Sequence, residues 1–218
     1  MSTEEWSVWE RRCVAFLTEQ MAGDSAHDQG HVRRVVANAL ALARDEQADL
    51  AVVLPAAWLH DCITVPKDSP LRGQASALAA RAACAFLEET GYQARLLPAI
   101  GHAIEAHSFS AGVAPQTLEA RVVQDADRLD ALGAIGIARC FALGGAMGRS
   151  LYHPDEPLPQ HRPADDRVYT LDHFPLKLLR LAGQMTTTAG RAEAERRTAF
   201  MRTFLGELTE EIDWGREQ

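Results

Sequence analysis

The run Ala56-Ala57-Trp58-Leu59 ends in an imidazole and a carboxylate side by side, His60-Asp61. Neighbouring helical residues point about 100° apart, so the two do not stack on each other. At a helix end both can converge on a point beyond the terminus. There they form either a hydrogen-bonded helix end or two ligands of one metal ion. An imidazole nitrogen and a carboxylate oxygen suit Mn²⁺, Zn²⁺, Fe²⁺ or Mg²⁺.

Three further stretches carry the same chemistry. His27 and His31 lie four apart, hence on one helix face, and Arg34 follows His31 at helical spacing. Asp125, Asp127 and Asp130 punctuate "VVQDADRLDALGAIG", where Val122, Val123, Ala126 and Leu129 suggest a buried face. Carboxylates in such a segment need cations, a metal or hydrogen bonds to stay charged. "GHAIEAHSFS" adds His102, Glu105 and His107. His102 and His107 are about 140° apart on an ideal helix, so they do not share an ion, and His107 at the helix end is the better site candidate.

Each residue alone has an ordinary reading. A single histidine on an apolar helix is usually a satisfied structural residue, and spaced aspartates can form a solvated face. The joint set is harder to dismiss. His31, His60, Asp61 and Asp127 supply two imidazoles and two carboxylates from three helices, with positions left for water on an octahedral ion. Such an ion lowers the pKa of bound water and polarises a phosphoryl oxygen.

Helical periodicity supplies the elements that must position these groups. Trp6, Trp9, Cys13, Phe16 and Leu17 predict a first helix to about Met21. Ser25 with Asp28 has capping-box spacing and predicts a second, to about Asp45. Further helices are expected at about 50–62, 73–90, 92–107 and 117–131. A small-residue helix follows, ended by Gly144-Gly145. Met147 to Arg167 holds four of the ten prolines and reads as a long loop. Segments at about 174–188 and 189–212 finish the chain. No strand alternation persists, and the expectation is one all-α domain spanning 1–218.

Bulk properties narrow the function classes. The 218 residues fit one domain of above-average size or one with an insertion. A net charge of −8 argues against nucleic acid as a partner, while leaving room for a small cationic phosphate pocket. The four cysteines contain no CxxC pair, so a cysteine zinc site is not expected. The acidic start is no secretory signal, and no apolar run approaches the roughly 18 residues of a membrane span. Reduced cysteines in a cytoplasmic protein, with no membrane partner, are the simplest reading. The apolar first helix can pack on its own core or on a second subunit, which leaves a homodimer open.

The ordered set His31, His60-Asp61 and Asp127 resembles the HD superfamily of metal-dependent phosphohydrolases. The likeness extends through "AHDQGHVRRVVANAL", "LHDCITVPKDSPLRGQAS", "HSFS", "VQDADRLDALGAIGIAR" and "DHFPLKLLRL…MTTTAGR". Together these look like one bacterial subfamily, some of whose members are nucleotide pyrophosphohydrolases. The resemblance implies a single helical HD-domain bundle with the loop at about 147–167. It also implies hydrolysis of (deoxy)nucleoside triphosphates to monophosphate and pyrophosphate through a metal-activated water. His31, His60, Asp61 and Asp127 take the metal-ligand positions, for one divalent ion. Mn²⁺ is favoured, with Mg²⁺, Co²⁺, Ni²⁺, Fe²⁺ or Zn²⁺ as alternatives.

Other roles are assigned by position. His27 and His107 are candidate general acid or base, and Asp130 falls where related enzymes have a polar site residue. Lys67 and Arg72, in the loop after the doublet, lead the candidate phosphate contacts, ahead of Arg34, Arg128 and Lys177. Tyr152, His153 and His161 in the long loop could cover a base, or the loop could be a plain connector. Alternative readings are a nucleotide phosphatase, a phosphodiesterase, a dNTP triphosphohydrolase, a non-catalytic nucleotide-binding module or a di-iron oxidative enzyme.

Overall fold

The computed structural model describes residues 3–20, 29–65 and 69–214. Among the described residues there are nine α-helices and one isolated β-bridge, so the chain is all-α. None of these helices is, by itself, long and apolar enough to cross a membrane. The chain divides into two compact units, 1–127 and 128–218.

The first unit is built around α3 (Leu50–Leu59), which packs against α1 (Thr3–Gln20), α2 (Gln29–Glu46) and α5 (Leu97–His107). Val52 through Leu59 are all buried, which is why this helix reads as apolar all round. Asp49 caps it, Oδ1 accepting the Ala51 N–H at 2.8 Å. Pro55 lies inside it and has no N–H, so the Ala51 carbonyl loses its helical donor. The Tyr92 hydroxyl donates to that carbonyl instead, at 2.6 Å.

Two aromatic pairs tie the first helix to the rest of its unit. The Trp9 ring meets Tyr92 edge-on at 4.7 Å, and Phe16 stacks on Phe86 at 4.2 Å, on α4 (Ala75–Glu89). Polar side chains fix α6 (Leu118–Leu129) in place. Asn38 Nδ2 on α2 donates to the Ala126 carbonyl at 3.1 Å, and Gln124 Nε2 donates to the Ala106 carbonyl on α5 at 2.7 Å.

In the second unit, α9 (Thr188–Asp213) packs on α7 (Gly133–Ala146) and on a 3-10 segment, Leu178–Gln184. The loop ahead of the single-turn α8 (His173–Leu176) has its own framework. Ser150 and Tyr169 form the isolated bridge. Arg162 grips the fully buried Asp172 with two hydrogen bonds, 2.6 and 2.5 Å. Glu156 accepts the backbone N–H groups of Gln160 and His161.

Several expected boundaries move. The doublet helix ends at Leu59 rather than Cys62, so His60 is its C-cap. The fourth and fifth helices begin later than expected, at Ala75 and Leu97, each behind a short 3-10 turn. Gly144 and Gly145 do not end α7 but lie inside it. A Cβ at Gly144 would stand 2.3 Å from Thr170 Oγ1, so glycine serves close packing there. The segment expected as one helix over 174–188 is α8 plus the 3-10 segment. Lys177, at φ −131° and ψ −62°, is non-helical and interrupts it. The capping residues Ser25 and Asp28, with His27 and Lys67, lie outside the described residues.

Candidate metal centre

Three helices of the first unit bring the predicted ligands together. His31 comes from α2, His60 and Asp61 follow the end of α3, and Asp127 comes from α6. His107, the last residue of α5, joins them. His31 Nε2 lies 3.4 Å from both His60 Nε2 and Asp127 Oδ1. His60 Nε2 is 3.6 Å from Asp61 Oδ2, and His107 Nε2 is 3.5 Å from Asp61 Oδ1. Among the described residues, two sets of three donors, each mutually within 4.8 Å, share His60: His31, His60 and Asp127, and His60, Asp61 and His107.

The tautomers follow from the backbone. His60 Nδ1 is 2.8 Å from the Ala57 carbonyl and His107 Nδ1 is 2.6 Å from the Ile104 carbonyl. A carbonyl only accepts, so each Nδ1 carries the hydrogen. The neutral rings therefore present Nε2 lone pairs, as metal-ligating histidines do when a backbone carbonyl fixes the far nitrogen. With His60 in that form, the short His31–His60 approach needs a hydrogen on His31 or a cation facing both nitrogens. The donor set thus fits a divalent ion of the hard or borderline class.

Electrostatics separate the two rings, favouring the neutral form at His60 and the protonated form at His107. Burial pushes His60 below the ordinary imidazole value, against the upward pull of Asp61. At His107 burial also opposes charge, but the Asp61 hydrogen bond and the Asp127 and Asp61 charges together outweigh it, and the value rises. Burial acts to raise Asp61, yet His60 and His107 hold it well below the usual carboxylate range. His60 is completely inaccessible, while the Asp61 side chain is 46% exposed, so the cluster has a buried floor and an open side.

A model of the HD domain matches residues 29–132. Over 202 residues the chain is 35% identical to the uncharacterised Bacillus subtilis protein YpgQ, covering 91% of this chain and 89% of that one. The chain belongs to the HD superfamily. A crystal structure of an HD-superfamily hydrolase from Bacillus thuringiensis is similar at a TM-score of 0.74 and 34% identity, covering 93% of this chain and 96% of that one. A structure of Bacillus subtilis YpgQ in complex with ADP is similar at a TM-score of 0.69 and 32% identity, covering 92% and 95%. Family and donor set together support a metal-dependent phosphohydrolase.

The other predicted residues of this HD chain have varied surroundings. Arg34 is half-buried on α2. Arg72 is exposed and donates through Nη1 to the Val65 carbonyl at 3.0 Å, tying off the loop that follows the doublet. His102 stays outside the donor sets, its Nε2 accepting the Gln116 N–H at 2.9 Å. In the second unit, Asp130 is buried and ion-paired with Arg139, while Arg128 Nη1 donates to the Gln184 carbonyl at 2.7 Å. Lys177 Nζ lies 2.7 Å from Asp166 Oδ2, whose second partner is His173 Nδ1 at 2.8 Å. Sequence reasoning passed over Asp166 and His173. Only the His173 position in "DHFPLK" hinted at them.

Proposed function

We propose that this protein hydrolyses nucleoside triphosphates, ribo or deoxy, to the monophosphate and pyrophosphate. His31, His60, Asp61 and Asp127 hold one divalent ion in this reading, with Mn²⁺ favoured. The observation that carries it is the meeting of His31, His60 and Asp127, with Asp61 beside His60 Nε2 and the His60 tautomer fixed by the Ala57 carbonyl. The ADP held by the related YpgQ supports a nucleotide as ligand.

The ion would supply Lewis acidity and an activated water for in-line attack on phosphorus. The protein's own groups do the rest. Asp61 and Asp127 set the negative charge of the centre, and the Nδ1–H donors of His60 and His107 hold both rings in place. His107, with Nε2 against Asp61, holds or moves a proton beside the reacting phosphate as general acid or base. His27 is the alternative for that role. Arg34 and Arg72, with Lys67 six residues after Asp61 in the sequence, offer cationic contacts for the phosphate chain.

Phosphorus NMR of products from a nucleotide panel, run with Mn²⁺, Mg²⁺, Co²⁺ and Ni²⁺, tests this. Pyrophosphate plus monophosphate is the expected outcome, abolished in His60→Ala and Asp61→Ala with helical circular dichroism retained. Orthophosphate or triphosphate as product would redirect the reading to another HD phosphohydrolase. Nucleotide binding with no product under any metal would make the chain a binding module.

A further inference from the structure

We propose that Phe109 is the platform on which the heterocyclic base of the nucleotide stacks. The inference rests on the nucleotide reading above and adds the residue that distinguishes a nucleotide from a bare polyphosphate.

Phe109 is 80% exposed, an unusual setting for a phenyl ring. Its place in the chain is equally specific. It stands two residues beyond His107, so its Cα lies within about 7 Å of that of His107. Nor is it carried on a featureless loop. Ser108 leaves α5 in an extended conformation, and a 3-10 turn, Phe109–Ala111, follows. The Ala111 N–H closes that turn on the Ser108 carbonyl at 3.3 Å. Gly112 ends it at φ +66°, a left-handed conformation that favours glycine.

The turn packs against α4, α5 and a second 3-10 turn, Arg72–Gln74. That second turn lies on the chain leaving His60-Asp61, and it is held by the bond from Arg72 to the Val65 carbonyl. Beside it Leu71 is 47% exposed. The chain leaving the doublet and the chain leaving His107 therefore bring an apolar residue each, and one arginine, to neighbouring turns. A nucleotide with its phosphates at the metal cluster needs an apolar surface for its base one step further out. An aromatic face meets that need for any base, because every base offers a π-face and stacking requires no matched hydrogen bonds. The expected substrate class is accordingly purine and pyrimidine nucleotides alike.

Calorimetric titrations of ADP and of inorganic pyrophosphate, both with Mn²⁺, into the full-length wild type and Phe109→Ala provide the test, because pyrophosphate is the same phosphate chain without a base. The variant should bind ADP roughly 5- to 150-fold more weakly. Its pyrophosphate affinity should move by less than twofold, and Phe109→Trp should restore ADP binding. Unchanged ADP affinity, an equal loss for pyrophosphate, or no ADP binding by the wild type would each overturn the proposal. The readout needs no turnover. A wild type that cleaves nucleotides with an unaltered Phe109→Ala variant would defeat only this inference. A wild type that binds ADP through Phe109 without cleaving triphosphates would defeat only the catalytic reading.

Discussion

His60 and His107 stand with their rings 4.9 Å apart and nearly perpendicular, each donating Nδ1–H to the carbonyl three residues before it. The two side chains end different helices, yet they share Asp61 as a neighbour at Nε2. Their roles separate experimentally. His60→Ala should lose the bound divalent ion, by more than the roughly 10- to 100-fold that deletion of an outer hydrogen-bond partner costs. His107→Ala should keep the ion and lose about 10²- to 10⁴-fold in turnover, the usual range for a general acid or base. Metal content by mass spectrometry after dialysis, beside initial rates, decides it. Loss of metal in both variants would move His107 into the ligand set.

Tyr92 and Pro55 should be energetically coupled. The Tyr92 hydroxyl replaces the donor that Pro55 lacks, so Tyr92→Phe leaves the Ala51 carbonyl without a bond. The expected cost is about 1–3 kcal/mol in urea unfolding. Pro55→Ala returns an N–H to that carbonyl, so Tyr92→Phe should cost less in that background. Additive effects in the double-mutant cycle would refute the link.

Arg162→Ala should be the most damaging single change in the loop before α8. It leaves the fully buried Asp172 carboxylate with the Asp165 N–H but without its cation, and breaking a buried pair from one side costs about 3–5 kcal/mol. Pairing Arg162→Leu with Asp172→Asn should recover much of that loss, because no buried charge remains. Limited proteolysis within 147–172 would report the loosening directly. Equal sensitivity of the two variants would contradict the argument.

Asp166 should give the second unit a distinct acid response. Lys177 first, with His173 behind it, lowers its pKa from 3.8 to about 2 against the opposing effect of burial. A depressed carboxylate stabilises the fold above its unfolded value, and that contribution disappears as pH falls through the folded value. Wild type should therefore be more stable than Asp166→Asn above pH 4, with the gap closing between about 4 and 2. A gap that persisted unchanged to pH 2 would show that the ion pairs do not supply it.

Much of this was written in local chemistry. The 3.6-residue period marked the helices, and residue types named the donors, because nitrogen and oxygen ligands for a metal are few and recognisable. His31, His60, Asp61 and Asp127 needed no coordinates to be proposed together. Helix ends were harder to read. The doublet helix stops at Leu59, three residues short of expectation, and Gly144-Gly145 lies within α7, where Gly144 makes room for Thr170 instead of ending the helix. Period alone does not register a close approach from a residue 26 positions away.

What the sequence determined by itself was the inventory: an all-α chain carrying imidazoles and carboxylates at helix-compatible spacing. What only the tertiary structure decided was which of them meet. His107 lies 46 residues from Asp61 in the chain and 3.5 Å from it in space, whereas His102, five residues earlier on the same helix, accepts the backbone N–H of Gln116 instead. The tautomers, the donor for the Ala51 carbonyl and the exposure of Phe109 were decided there too. The physical reason is that the meeting of Asp61 with His107 and of the Ala51 carbonyl with Tyr92 depends on distances between segments remote in sequence, set by packing around α3, while the tautomers follow from carbonyls only three residues away once the helices have formed.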